Sequence, residues 1–370
     1  MAINVNRPII TYENIALFQS DAPAHDIISN SGDGLSFLPL VQGIDFSVDI
    51  PRTNVGALGT KGFIDQSNRN APDVQLSVNN IESFGDLFSG IGIKDNLNTD
   101  RNFYAVIGDK KSFDVSGENL SGRDVLSFGN CFLNNVSISQ SVNGLINSTY
   151  SYVGSNLQAQ KLEETGSLFS GDSPSINLTG NQSQNVKVLF SGMDSYYNNE
   201  SNKIIPHYST NVIISGNNSI ENFLIKLDTI QSFDLNLSIR RKTINSLGKK
   251  YPVARKALFP SECSFNLSNR ISNFETTGDE ANLKDFLNSD QSYTICVSGE
   301  DEGNNRLIFE VKNAKLTSQN YNSSIGSDIV ADLNFSFELN ELYFPAFIDK
   351  LMAQDGSFIL TQAGRYIEIN

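Results

Sequence analysis

The stretch Val55-Gly56-Ala57-Leu58-Gly59-Thr60-Lys61 is the closest approach in this chain to a phosphate cradle. Such a cradle needs backbone N–H groups presented by fixed glycine spacing, with a lysine beside a Ser or Thr. The spacing here differs, and a similar stretch later in the chain carries Asn245 in place of Gly56. His25 and His207 lie in polar stretches without a serine or cysteine nucleophile motif. The three cysteines, Cys131, Cys263 and Cys296, are odd in number and distant in sequence, so neither a disulfide framework nor a zinc site can be built from their spacing. They fit buried thiols in a reducing compartment. The carboxylates are scattered, no pair has supporting context for acid–base work, and no calcium loop of the EF-hand pattern occurs. The expectation is a non-enzymatic protein with no catalytic residue, no cofactor and no metal.

Elements of what class position these residues? The 370 residues favour two domains or one large β architecture. Apolar content of 39% suffices for ordinary cores. A net charge of -14 favours solubility and disfavours a protein that coats nucleic acid. The Asn-x-Ser/Thr sequons, such as Asn147-Ser148-Thr149 and Asn266-Leu267-Ser268, follow from an Asn/Ser-rich composition. Met1 to Ile10 lack a basic and an apolar leader region, and no apolar run is long enough for a membrane span. Folding in a cytoplasm, without a membrane partner, is expected.

A degenerate internal repeat is the main organising feature. Val41 to Ile50 alternates apolar and polar residues, and so does Ile230 to Ile239, in the same phase at a shift of 189 residues. Period two marks a strand with one buried face. The same shift sets Arg52 on Arg241, Leu58-Gly59 on Leu247-Gly248, and Val74, Leu76 and Val78 on Cys263, Phe265 and Leu267. Ile81, Phe84, Leu87, Phe88 and Ile91 predict a short helix, as do Leu283, Phe286 and Leu287 after a cap near Asp279. Short strands follow at Phe103–Ile107 and Tyr293–Val297. A final hairpin pairs Val136-Ser137-Ile138 with Ser148–Tyr152, and Ala314-Lys315-Leu316 with Leu333–Phe337. Upstream, Leu17-Phe18 resembles Leu189-Phe190, Ala24-His25 resembles Pro206-His207, and Ile27-Ile28-Ser29 resembles Ile213-Ile214-Ser215. Copy one is placed at 1–165, copy two at 175–343, and a C-terminal extension at 344–370, with hairpin arms at Ser357–Thr361 and Arg365–Glu368. Gln158 to Asn185 reads as a polar linker.

Each copy resembles the tail-tube domain of bacteriophage tails and related injection machines. The resemblance is carried by the strand Ile44–Ile50, the glycine-containing connection Pro51–Asp73, the return strand Val74–Val78 and the helical pattern Ile81–Phe88. The final pair Leu133–Ile138 and Ser148–Gly154 completes it, with Ser137-Ile138-Ser139-Gln140-Ser141-Val142. It is a likeness in the order of elements with loose residue preferences, covering most of the chain in two instalments. It implies a mainly β fold with minor α: two tandem tail-tube-like β-sandwich or barrel domains, each with a short flanking helix. Six such domains form a ring, and stacked rings form a hollow tube for double-stranded DNA. Two domains in one chain imply three chains per ring, a homotrimer with pseudo-sixfold symmetry. The implied partners are copies of this chain, terminator, tape-measure and baseplate proteins, and DNA passing without specific binding. The implied location is a virion tail assembled in a bacterial cytoplasm. A baseplate hub or tail-end ring on the same duplicated domain is an alternative, and a carbohydrate-binding or adhesive β-sandwich tail component is another.

Within that frame, unpaired strand edges would join domain to domain inside the chain and between chains, closing a barrel. Asp45, Asp49 and Asp234 are candidates for the lumen wall, where carboxylates offer DNA no hold; an ordinary solvated sheet face is the competing reading. The connections Pro51–Asp73 and Arg240–Ser261 are about 20 residues each, long for passive loops. Arg52, Lys61 and Arg69 in the first, and Arg240, Arg241, Lys242, Lys249, Lys250, Arg255 and Lys256 in the second, suggest an arm that meets an acidic surface on the adjacent ring. A solvated hairpin and a DNA-contacting loop remain open for the same residues.

Overall fold

In the computed structural model the described residues are 15–20, 36–38, 40–50, 52–55, 59, 61, 65–68, 73–81, 100–107, 123–162, 167–170, 173–177, 205, 207–216, 224–226, 230–247, 252, 254–271, 292–300, 306–322, 329–339 and 346–347. The chain is mainly β, built around one large antiparallel sheet. Among the described residues the helical element is a single 3-10 turn at His207–Ser209. The helices expected beyond Ile81 and around Leu283–Leu287 fall outside the described residues, as do His25, Leu189-Phe190, Ile27-Ile28-Ser29 and the arms within 357–368; Ile81 itself closes a strand.

The first half contains β1 (Ile15–Ser20), β2 (Ser36–Phe37), β3 (Val41–Asp49), β4 (Arg52–Val55), β5 (Asp65–Asn68), β6 (Asp73–Ile81), β7 (Arg101–Ile107), β8 (Arg123–Ser141), β9 (Asn147–Gly154) and β10 (Asn156–Leu162). A small hairpin, β11 (Ser167–Ser170) with β12 (Ser173–Asn177), follows. The second half contains β13 (Thr210–Gly216), β14 (Leu224–Lys226), β15 (Ile230–Ser238), β16 (Arg241–Ile244), β17 (Ala254–Ala257), β18 (Ser261–Ile271), β19 (Ser292–Glu300), β20 (Arg306–Asn322), β21 (Ile329–Leu339) and β22 (Ala346–Phe347).

The pairing order of the two halves is the same. The first runs β2-β1-β7-β8-β9-β6-β3, with β10 added to β8. The second runs β14-β13-β19-β20-β21-β18-β15, with β22 added to β20. Register repeats too. Ile44 faces Val78 and Phe46 faces Leu76; at the equivalent seats Phe233 faces Leu267 and Leu235 faces Phe265. The strand pairs even share a bulge, between Val41 and Gly43 in one half and between Ile230 and Ser232 in the other. Arg52 faces Asn68 in the β4–β5 hairpin as Arg241 faces Ala257 in β16–β17.

The long strands β8 and β20 each serve two layers. The front part of β8 pairs with β7 and β10, and its rear part with β9. At the change-over stands Asn130 with φ 54°, matched in β20 by Asn313 with φ 57°. Asparagine tolerates this left-handed conformation better than most residues, and there it bends the strand from one layer into the other. The layers then face each other: the rings of Phe103 (β7) and Tyr152 (β9) lie 4.6 Å apart, and those of Tyr293 (β19) and Phe335 (β21) 5.7 Å apart. Leu17, Phe103, Leu76 and Tyr150 share one buried cluster with Phe265, Phe309 and Leu333, so the core is continuous through both halves.

Three sequence expectations are corrected. Gln158 begins no linker, because β10 runs to Leu162 along β8 and Leu157 is half-buried on it. The final hairpins pair the expected segments, Val136–Ile138 with Ser148–Tyr150 and Lys315-Leu316 with Phe335-Ser336, but the counterpart of Leu316 is Leu133 rather than Ile138. Bulges after Leu133 and Leu316 break the alternation on which the sequence match relied. Upstream, Phe18 and Ile213 both pair with the short outer strand of their half, so Ile213-Ile214-Ser215 takes the place of Phe18-Gln19-Ser20. At the far end, Ala346 and Phe347 pair back onto Glu310 and Phe309, so these two residues of the expected extension belong to the sheet.

Candidate functional site

The two halves meet through a strand edge. Strand β15 of the second half lies antiparallel on the rear part of β8 of the first, with Ser232 opposite Ser141 and Ser238 opposite Asn135. Backbone bonds from Val142 N–H to the Gln231 carbonyl and from Ile239 N–H to the Asn134 carbonyl, both 2.8 Å, frame the joint. Because side chains alternate, Phe233, Leu235, Leu237 and Ile239 all point into the core, and Leu235 and Leu237 are 1% and 0% exposed.

Among the described residues the reciprocal surfaces have no strand neighbour. Strand β3 holds the seat of β15 but pairs on one side alone, with β6. Its apolar residues Phe46, Val48 and Ile50 are 47%, 39% and 46% exposed. The rear part of β20 holds the seat that β8 offers to β15, and pairs there with β21 alone. Tyr321, on that stretch, is 41% exposed. One strand pattern is thus buried in the second half and open in the first, and the difference is a missing neighbour rather than a different sequence.

The β16–β17 hairpin clamps the joint. Arg241 donates from Nε to the Leu133 carbonyl at 2.7 Å and from Nη1 to the Arg255 carbonyl at 2.8 Å, with its guanidinium 5.3 Å above the centre of the Phe132 ring. Burial, and secondarily the charge of Arg255, pulls the Arg241 guanidinium down to about 10. Arg255 is buried and donates to Asp73 Oδ1 at 2.7 Å, the Gly154 carbonyl at 3.2 Å and Ser155 Oγ at 3.1 Å. Arg241 and Arg255 therefore tie the second half to the first and are not free cations of an arm. Arg240, Lys242 and Lys256 are exposed on the same hairpin, and Arg52 and Lys61 on the first connection; Arg69, Lys249 and Lys250 lie outside the described residues.

One face of the joined sheet is polar across eight strands, in the order β3-β6-β9-β8-β15-β18-β21-β20. A single row reads Asn147, Ser139, Asp234, Asn266, Asn334, Ser318. Asp45, Asp49 and Asp234 all project on this face, by strand alternation. Asp45 accepts from Asn79 Nδ2 at 3.4 Å, and Asp234 from Ser137 Oγ at 3.4 Å. Asp332, not singled out in the sequence, accepts from Ser268 at 2.8 Å and Asn322 at 3.1 Å. The face is hollowed, with an open concavity of about 530 Å³ lined by Ser139, Asp234, Asn266, Asp332 and Asn334. Among the described residues of this face the cations, Lys315 and Arg270, stand at its rim. The surface carries hydroxyls, amides and carboxylates, several of them hydrogen-bonded to one another.

Cys131, Cys263 and Cys296 are buried, and among the described residues no cluster of His, Cys, Asp and Glu is arranged to hold a metal. A scan against protein-family models gives no match to this chain, and a search of curated proteins gives none. The residues that the sequence reading missed carried a signal all the same: Phe46, Val48 and Ile50 are the open members of a pattern that is closed at its second occurrence, and Tyr321 is the open counterpart of Ile138, which is closed at the first.

Proposed function

We propose that this chain is a structural subunit of a phage-type tail tube, in which three chains close a pseudo-sixfold ring and rings stack into a conduit for double-stranded DNA. The observation that carries this reading is the joint of β15 on β8, together with its two bare counterparts, β3 and the rear of β20. Repeating that joint between chains is a head-to-tail association, which closes as a ring when the rotation permits. The intrachain register then fixes the register between chains. Asp45 of one chain falls opposite Asn322 of the next, Phe46 opposite Tyr321, Ser47 opposite Asn320 and Asp49 opposite Ser318. The two exposed rings thus cover each other, as Leu235 and Ile138 do inside the chain.

The ring closes the polar face into one wall and leaves no open edge. A wall of bonded hydroxyls, amides and carboxylates, with few cations, gives a polyanion little to hold.

Cross-strand residues at non-hydrogen-bonded positions stand close enough for a disulfide. Ser47→Cys with Asn320→Cys is therefore expected to yield covalent dimers and closed trimers under oxidation, read on non-reducing gels. Monomers alone would remove the proposed register. A second expectation concerns the lumen. Asp45→Lys with Asp234→Lys, in rings that still assemble, is expected to slow DNA ejection severalfold as cations bind phosphate. Unchanged ejection kinetics would place the polar face elsewhere than the channel.

A further inference from the structure

A strand-edge joint fixes register along the strands and leaves the angle between the joined units to whatever packs beside it. We infer that the chains of the ring touch at a second point, across the layers: Ile15 and Ile107 of one chain close over Ile329 of the next and fix that angle. This inference rests on the ring reading above and deepens it by naming the contact that decides closure.

The intrachain joint shows the arrangement once. Past the bond from Val142 N–H to the Gln231 carbonyl, Ile146 of the first half is buried against the second. Above it stands Gly299 of β19, where a Cβ would meet Ile205 Cγ2 at 2.7 Å and Ile146 Cδ1 at 3.7 Å. That close approach is what requires glycine there. Ile205, fully buried, fills the space the glycine leaves. Thr210, the cross-strand partner of Gly299, lines a concavity together with Val142 of the first half. The front layer of the second half thus overhangs the joint and locks it away from the hydrogen-bonded edge.

The same seats recur at the free ends. Ile213 faces Cys296 where Phe18 faces Tyr104, and three residues along Thr210 faces Gly299 where Ile15 faces Ile107. Asn269 faces Ala331 where Asn80 faces Ser148, and two residues earlier stand Ile329 and Ile146. Strand alternation aims all three free isoleucines at the core. Ile15 is in phase with Leu17, Ile107 with Phe103 and Ile329 with Leu333, and those three partners are buried. Yet Ile15 is 37% exposed, and Ile107 and Ile329 are half-buried. Core-directed side chains left half open mark the place of a neighbour. By the same equivalence, Ile15 and Ile107 overhang β3, and Ile329 lies at the end of the β20–β21 pair, so the ring brings them together.

The chemistry differs from the intrachain lock in one respect. The second half sets glycine at this seat and fills the gap with Ile205; the first half sets Ile107 there, whose own side chain occupies the gap. The interchain contact is therefore isoleucine directly on isoleucine. A head-to-tail joint closes as a ring only if its rotation is right, and otherwise grows as an open helix. Packed, branched side chains beside the edge admit one angle, because close-packed interiors do not deform freely.

Ile107→Cys with Ile329→Cys, treated with a short bis-maleimide, is expected to yield covalent dimers and closed trimers on denaturing gels. Neither single variant should cross-link, since the native thiols are buried. Ile329→Glu is expected to melt as a folded chain and to weaken trimer formation, read by sedimentation, on the order of a hundred-fold, because closure would bury a carboxylate. Ile329→Leu is expected to keep the rings. Should Ile329→Glu fail to fold, the cross-link alone decides. If Ser47→Cys with Asn320→Cys cross-links and Ile107→Cys with Ile329→Cys does not, or if Ile329→Glu closes rings as the parent does, the layer contact is wrong and the ring reading survives. A parent chain that sediments as a monomer at every concentration overturns both.

Discussion

Val48→Pro is expected to leave the chain folded and monomeric, whereas Leu237→Pro, at the same seat of the second half, is expected to unfold it. The reason lies in which way each N–H points. The bonds at Ile239 and Val142 fix the alternation along the β15–β8 joint, and it sets the Leu237 N–H toward β8. The equivalent N–H of Val48 points outward from β3, to the side where no strand lies among the described residues. Proline on an open edge removes a donor that bonds only to water and is tolerated there. Inside a paired strand it removes a ladder bond and is excluded from central positions. Leu237 is also fully buried, so its lost side chain adds to the penalty. Denaturant titration with light scattering separates the cases: Val48→Pro keeps a cooperative transition near that of the parent and forms no rings. Rings from Val48→Pro would show that β3 is not the joining edge.

Arg255→Ala costs roughly 2–4 kcal/mol, whereas Lys256→Ala, one residue on, stays within about 0.5 kcal/mol. Arg255 is buried with three acceptors, and Lys256 is exposed. Asp73, the charged partner, is itself 56% exposed and returns easily to water. Most of the loss therefore comes from the Gly154 carbonyl and Ser155, which keep their burial and lose their donor. Thermal melts are expected to fall by several degrees for Arg255→Ala and hardly at all for Lys256→Ala. Equal, small shifts for both would mean that the hairpin does not clamp the two halves.

Much of the fold was legible in the residues. The alternation of Val41–Ile50 and Ile230–Ile239 has a cause that acts locally: a strand with one buried face must present apolar residues at every second position. The match of Arg52 with Arg241 and of Val74 with Cys263 likewise held, because no bulge intervenes between the sequence signal and the seat. The segments of the final hairpins followed from pattern, but the residue correspondence between the two copies there did not. Asn130, Asn313 and the bulges near Leu133 and Leu316 shift the phase, and an Asn in an Asn-rich chain gives no warning of it. The basic connection misled in a similar way. Arg241 and Arg255 look like members of a charged surface run, yet Arg255 is buried and Arg241 half-buried because the first half supplies Leu133, Asp73 and Gly154 to receive them.

By itself the sequence determined that the chain is mainly β, that one strand pattern is written twice, and that acidic and small polar residues alternate with the core. Those properties depend on neighbours within a few residues, so local spacing is enough to set them. Only the tertiary structure decided which copy of the pattern is covered. Phe46 and Leu235 have like spacing and like neighbours in sequence, and one is 47% exposed while the other is 1% exposed. That difference comes from β8 lying against the free side of β15 while, among the described residues, no strand lies on the matching side of β3, a fact about long-range pairing that no local pattern encodes.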